Sequence, residues 1–213
     1  MLKKILIGIL GLASIGFMLG RPVFAKITGS KHDFSSKSWS GQQICAPCHT
    51  PHNNTSGTDV PLWSHTLSTT SYTPYSSLSL NATGVGQPSA KSKICLSCHD
   101  GTVAINAFGG SSGASTFISA GAKLGSDLNN DHPISFIYDS NLATTDGTLN
   151  DPTIKTVAAL EGKTIDEAML INHKIECVSC HDVHRAKGNS QTANRLLVVD
   201  NSGSSLCLTC HNK

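Results

Sequence analysis

The longest apolar run of the chain lies close to its N-terminus. Residues 5–20 carry no charged side chain, two lysines precede them, and Val23 and Ala25 follow at positions where small residues direct cleavage. This pattern predicts a secretory signal peptide over residues 1–25. An uncleaved anchor is the alternative, but a membrane-spanning helix needs about 20 apolar residues. The mature chain, residues 26–213, is therefore predicted to be an exported single domain with no membrane span.

Hydrophobic periodicity is weak in the rest of the chain. Alternation at residues 134–138 predicts a short strand, and the apolar run at 196–200 predicts another. Thr164, followed three positions later by Glu167, predicts a capping box and a helix that ends near Ile171. The stretches between these elements are rich in glycine, serine, threonine and asparagine and are typical of loops.

Composition limits the size of the polypeptide core. Aromatic residues make up only 5% and charged residues 14% of the sequence. Removal of Lys3, Lys4 and Arg21 with the signal peptide leaves 13 basic and 14 acidic residues, so the net charge changes from +2 to −1. No basic face is evident, which argues against a nucleic-acid partner. A compact fold requires something other than side chains in its interior.

All eight cysteines lie in C-x-x-C pairs, and a histidine follows each pair directly. Disulfides are the usual expectation for an exported protein, and paired C-x-x-C motifs also bind zinc. Four complete C-x-x-C-H motifs instead indicate covalent attachment of four haem c groups. We number the motifs as sites 1 to 4: Cys45-Cys48-His49, Cys95-Cys98-His99, Cys177-Cys180-His181 and Cys207-Cys210-His211.

Each motif assigns three roles to its residues. The two thiols form thioethers with one haem, and the histidine binds the iron from the proximal side. The predicted proximal ligands are therefore His49, His99, His181 and His211. The predicted fold is mostly coil with few short helices and minimal strand, a multihaem cytochrome c fold wrapped around four covalently attached haems.

Histidine is also the favoured ligand on the distal side of each iron. Met169 is the only methionine of the mature chain, whereas six histidines lie outside the motifs. Irons with histidine on both sides transfer electrons and have no vacant position for a substrate, so we predict that the protein is not an enzyme. The favoured distal ligands are His32, His52, His132 and His184, with His65 and His173 in reserve.

His52 lies only three residues beyond His49, and His184 has the same relation to His181. Three residues span at most about 10 Å, which is too little to pass around the edge of the haem that the segment already holds. Each of these histidines is therefore expected either to bind a different haem or to be a surface residue. The first possibility would bring neighbouring haems close together.

Several strings of this sequence resemble the extracellular multihaem cytochromes of metal-reducing bacteria, especially the tetrahaem proteins that form conductive filaments. They are HDFS, CAPCHTPHN, PLWSH, CLSCHDGTVAINAFGG, NDHPIS, CVSCHDVH and LCLTCHNK, and they extend over nearly all of residues 28–213. The resemblance implies haems with two histidine ligands and a filament of identical subunits. It also implies that one axial ligand comes from the neighbouring subunit, with His52 the expected donor and His32 the alternative.

The leading hypothesis is an extracellular or cell-surface filament that conducts electrons. Its partners would be other copies of the chain, upstream cytochromes and extracellular electron acceptors. The alternative is a discrete periplasmic or cell-surface tetrahaem carrier that does not polymerise. An oxidoreductase with a substrate-binding haem would require a five-coordinate iron, which the supply of histidines does not favour.

Overall fold

The computed structural model describes residues 27–50, 52, 62–184 and 196–212. The predicted signal peptide lies outside these residues. Most of the described chain is coil and turn, which confirms the predicted fold class. The helices are α1 (Ala90–His99), α2 (Ser140–Asp146), α3 (Ile165–Met169), α4 (Cys177–Cys180) and α5 (Ser205–Cys210). The strands are β1 (Phe136–Ile137), β2 (Thr156–Val157), β3 (Lys163–Thr164) and β4 (Lys174–Ile175). Short 3-10 turns lie at Ser38–Ser40, Ala120–Ala122, Ala158–Leu160 and Ser202–Ser204.

Helix α3 begins with the predicted capping box. The Thr164 hydroxyl accepts a hydrogen bond from the backbone N–H of Glu167, and the Glu167 carboxylate accepts one from the backbone N–H of Thr164. Two donors that a helix N-terminus leaves unpaired are thereby satisfied. The helix ends at Met169, two residues before the predicted end, because Leu170 adopts an extended conformation.

Two antiparallel pairs make up the sheet structure of the described residues. Strand β1 pairs with β4, with Phe136 opposite Ile175, and β2 pairs with β3. The strand predicted at residues 134–138 is confirmed, although it is only two residues long. The strand predicted at residues 196–200 is wrong: Leu197 forms a single bridge with His181, while Val198 and Val199 are buried in the core. Burial alone therefore explains that apolar run.

The main core collects side chains from β1, α2, α3 and β4 and continues to Val198 and Val199. Ile165 is fully buried and Met169 is 3% exposed. A smaller cluster joins Tyr72, Leu96 and Leu128 beside α1. Both clusters lie next to helices that carry cysteine motifs, so apolar packing positions the sites. Within the described ranges, no helix has the length and apolar character needed to cross a membrane.

Candidate haem-binding sites

Each C-x-x-C-H motif forms a single helical turn or the end of a helix. At sites 1, 3 and 4 the backbone N–H of the histidine donates to the carbonyl of the first cysteine, at 2.8, 3.0 and 2.9 Å. Site 2 occupies the last turn of α1. Residues three apart on a helical turn lie on the same face, so both thiols of each site face the same way. This arrangement is the one that two thioether bonds to a single flat ring require.

The histidines of sites 1, 3 and 4 are held by antiparallel bridges. His49 pairs with Trp63, His181 with Leu197 and His211 with Leu149. These bridges fix the backbone directly after each turn. Extended backbone at His181 and His211 ends helices α4 and α5.

At site 2 the side chain of the histidine is fixed instead. Nδ1 of His99 lies 2.8 Å from the carbonyl oxygen of Ala122. A ring whose Nδ1–H donates to a carbonyl presents Nε2 to a metal, and this second contact is typical of metal-binding histidines. The environment of His99 therefore suits an axial ligand.

The eight cysteines, all within the described ranges, form no disulfide bonds. Burial raises the pKa of Cys48 to about 11, with a further contribution from Cys45, and raises the pKa of Cys98 to about 12. The pKa of Cys210 also rises to about 12, mainly through burial. These thiols are partly buried, as sulfur atoms that hold a hydrophobic ring against the chain would be.

The four sites are neighbours in the order of the sequence. Between sites 2 and 3, the thiols of Cys95 and Cys177 share a hydrogen bond, which raises the pKa of Cys95 and lowers that of Cys177. Beyond burial, Cys48 of site 1 contributes to the raised pKa of Cys98. Likewise, Cys207 of site 4 contributes to the raised pKa of Cys180 at site 3. Groups attached to these cysteines would therefore form one continuous series.

Two of the predicted distal histidines face predicted proximal histidines. The ring centroids of His32 and His99 are 6.0 Å apart with an interplanar angle of 41°, and those of His49 and His184 are 5.9 Å apart at 35°. A metal with an imidazole on each side needs centroids roughly 6 Å apart, because each metal–nitrogen bond is about 2 Å and each nitrogen lies about 1 Å from its ring centre. Both pairs fit an iron atom between the rings.

The surroundings of His32 and His49 favour the neutral form of the ring, which metal binding requires. Burial lowers the pKa of His32 to about 4, and repulsion from His99 and His181 contributes. Burial and repulsion from His184 lower the pKa of His49. His184 itself lies half-exposed, with Nδ1 at 4.0 Å from Asp182.

Two buried donor atoms have no hydrogen-bond partner among the described residues: Nδ1 of His32 and Nε1 of Trp63. Trp63 is 9% exposed, and its ring lies edge-on to His49 with centroids 6.0 Å apart. An unpaired buried donor costs roughly 1–3 kcal/mol. The carboxylates of a bound haem are acceptors that would satisfy such donors. The residues present at sites 1 and 2 therefore fit haem.

The other predicted ligands are not paired in this way. His52 is exposed, and its backbone N–H donates to the Thr50 hydroxyl. His132 is also exposed, and its Nδ1 lies 2.9 Å from the Pro133 carbonyl, at the rim of a small cleft lined by Tyr75 and Ile134. Their roles as distal ligands remain predictions.

The reserve histidines have other partners. Both ring nitrogens of the buried His65 contact backbone carbonyls, Nδ1 that of Thr66 at 2.8 Å and Nε2 that of Ala104 at 3.0 Å. His173 is exposed and its Nδ1 lies 2.8 Å from the Asp166 carboxylate. In His65 both of the nitrogens that could bind an iron are therefore engaged. The contact of His173 involves Nδ1 alone, so its role as a reserve ligand stays a prediction.

Asp100, which sequence reasoning did not single out, lies directly after His99. It is 2% exposed and accepts hydrogen bonds from the hydroxyls of Ser68 and Tyr72 and from the backbone N–H of Thr102. Burial tends to raise the pKa of this carboxyl, but the donors outweigh it and lower the pKa. Its only sequence signal is its position after the motif, which does not distinguish a buried carboxylate from a surface one.

Comparison with known proteins supports the nature of the sites. Residues 171–213 match the family described as doubled CXXCH motif, and this segment contains sites 3 and 4. A search of curated proteins found no match. The match and the motifs indicate a multihaem c-type cytochrome that binds haem c covalently, and thus a protein of electron transport. Cytochromes of this type are typically exported.

Proposed function

We propose that the protein is a tetrahaem cytochrome in which histidine binds both sides of every iron, and that it transfers electrons without transforming a substrate. The observation that carries this proposal is the pair of imidazole contacts, His32 with His99 and His49 with His184, at distances that suit an iron between them. When bound, haem supplies the one-electron ferric–ferrous couple. The chain contributes the ligands, the attachment and the burial.

The contiguity of the sites supports conduction along the molecule. Cys48 of site 1 lies near Cys98 of site 2, Cys95 of site 2 lies beside Cys177 of site 3, and Cys180 of site 3 lies near Cys207 of site 4. His184 adds a further connection, because it follows site 3 in sequence and faces His49 of site 1. One segment would thus hold one haem and bind the iron of another.

The protein is further proposed to polymerise into an extracellular filament. His32 and His184 face histidines of sites 2 and 1, which leaves His52 and His132 as the favoured candidates for sites 3 and 4. His52 is exposed, as a residue donated to a neighbouring subunit must be. Together with the family resemblance, its exposure supports His52 as a ligand to the next copy. Upstream cytochromes and extracellular acceptors would be the electron-transfer partners.

Two measurements test this proposal. Haem quantification with optical and electron paramagnetic resonance spectra of the exported protein should give four haems per chain, all low-spin. Electron microscopy of the extracellular fraction should show filaments. Four low-spin haems in a monodisperse monomer would favour the discrete periplasmic or cell-surface carrier. A high-spin iron would instead indicate an oxidoreductase.

A further inference from the structure

Glu176 is a buried carboxylate at the junction of sites 2 and 3. It lies directly before Cys177, and it is only 2% exposed. Three serine hydroxyls donate to its oxygens: Ser89 to Oε1 at 2.7 Å, Ser135 to Oε2 at 2.9 Å, and Ser92 to Oε2. The carboxylate is thus held from two segments distant in sequence.

The same contacts connect Glu176 with both attachment helices. Ser92 lies one turn before Cys95 on α1, and its hydroxyl oxygen also accepts from the backbone N–H of Cys177, at 3.1 Å. The thiols of Cys95 and Cys177 share a hydrogen bond. Glu176 therefore lies where the two attachment points meet.

The donors to this carboxylate are neutral. The ion pairs seen among the described residues, His173 with Asp166 and His184 with Asp182, do not include Glu176. A buried carboxylate is costly unless hydrogen bonds or an opposite charge compensate it. A ferric haem carries one more positive charge than a ferrous haem, so a nearby anion stabilises the oxidised form.

We propose that Glu176 is a buried anion that lowers the reduction potentials of the haems at sites 2 and 3. This inference rests on the proposed electron-transfer function and deepens it. Glu176 is a positioning and tuning residue, since it acts through the electric field at the junction and not as an iron ligand. The contacts of Glu176 join the elements that carry sites 2 and 3, so the haems of sites 1 and 4 are expected to be affected less.

The test is a spectroelectrochemical titration of the haem-loaded Glu176→Gln variant, which keeps the shape of the side chain and removes its charge. At a fixed electrode potential, we expect the ratio of reduced to oxidised haem to rise on the order of tenfold for two of the four haems. For a one-electron couple, that change corresponds to about 59 mV. The matched control is Glu167→Gln, which removes an exposed charge and preserves a side chain suited to the capping box; it should leave all four potentials unchanged.

A second variant separates an electrostatic role from a merely structural one. Ser89→Ala keeps the charge of Glu176 and removes one of its donors; the Ser89 side chain does not cap α1. The less compensated anion should lower the same two potentials, the opposite direction to Glu176→Gln. If the Glu176→Gln variant does not accumulate with four haems, the direction in which Ser89→Ala shifts the two reduction potentials tests the inference on its own.

Unchanged potentials in both variants, an equal shift of all four haems, or an upward shift in Ser89→Ala would overturn the inference. None of these results would contradict the proposed function, because that function depends on the histidine ligands of the haem irons in the wild-type protein. A high-spin signal in the wild type would defeat the proposed function whatever the variants show.

Discussion

The ring centroids of His32 and His99 lie 6.0 Å apart, although the two residues are 67 positions apart in the sequence. His32 belongs to the coil before site 1, and His99 ends the helix that carries site 2. Burial of His32 and the contact of His99 with Ala122 hold both rings in place. The histidine that faces the proximal ligand of site 2 therefore comes from a segment that contains no C-x-x-C-H motif.

Removal of a facing histidine should open one iron. We expect His184→Ala to leave site 1, and His32→Ala to leave site 2, with a five-coordinate iron, because each loses the ring opposite its proximal ligand. One of four haems should become high-spin and bind carbon monoxide, as measured by optical and electron paramagnetic resonance spectra. His173→Ala, which removes an exposed histidine paired with Asp166, is the control and should remain fully low-spin. Low-spin spectra in His184→Ala would refute the pairing at site 1.

His52 provides the test of polymerisation. His52→Ala should leave thioether attachment intact, because the cysteines of site 1 are unchanged, but it should abolish filaments in electron micrographs of the extracellular fraction. One haem per chain should also lose its low-spin signature. Filaments of normal length with all haems low-spin would show that His52 is not the donated ligand.

Tyr72 and Asp100 predict a pH-dependent contribution to stability. Removal of the Tyr72 hydroxyl in Tyr72→Phe should lower the free energy of unfolding by about 2 kcal/mol, the typical value of a hydrogen bond to a charged group. The pKa of Asp100 is lowered from the usual value of 3.8, so its contribution is present above that pH and is lost as the pH falls below it. Urea unfolding measured at pH 7 and at about pH 3 should therefore show that the free energies of unfolding of wild type and Tyr72→Phe differ less at the acidic pH. An equal difference at both values would contradict this account.

The capping box of α3 predicts a second stability effect. Thr164→Ala removes the hydroxyl that accepts from Glu167 and should cost about 1 kcal/mol of unfolding free energy. Thr164→Ser keeps that hydroxyl and serves as the control, with a urea midpoint close to wild type. A wild-type midpoint in Thr164→Ala would mean that packing of Ile165 and Met169 alone fixes this helix.

Local chemistry explains which parts of the fold the sequence predicts. The α3 start follows from Thr164 and Glu167, since both halves of the capping box lie within four residues. The strand at Phe136 follows from the apolar side chains at alternate positions, Ile134, Phe136 and Tyr138. The strand prediction at residues 196–200 was wrong because a coil segment that buries Val198 and Val199 in the core has the same apolar run as a strand.

The distal ligands show the limit of sequence reasoning more clearly. The motifs define the attachment residues, but the ring that faces each proximal histidine depends on long-range packing. Nothing in the spacing distinguishes His32, which faces His99, from His65, whose nitrogens contact Thr66 and Ala104. Glu176 went unnoticed for the same reason, because its serine donors lie up to 87 positions away.

The most direct test of the account is carbon monoxide titration of the dithionite-reduced, fully haem-loaded wild-type protein, followed in the Soret band. If histidine binds both sides of every iron, the spectrum should not change, because no axial position is open. A Soret shift that develops rapidly with carbon monoxide would contradict the account and would point to a haem at which a substrate can bind.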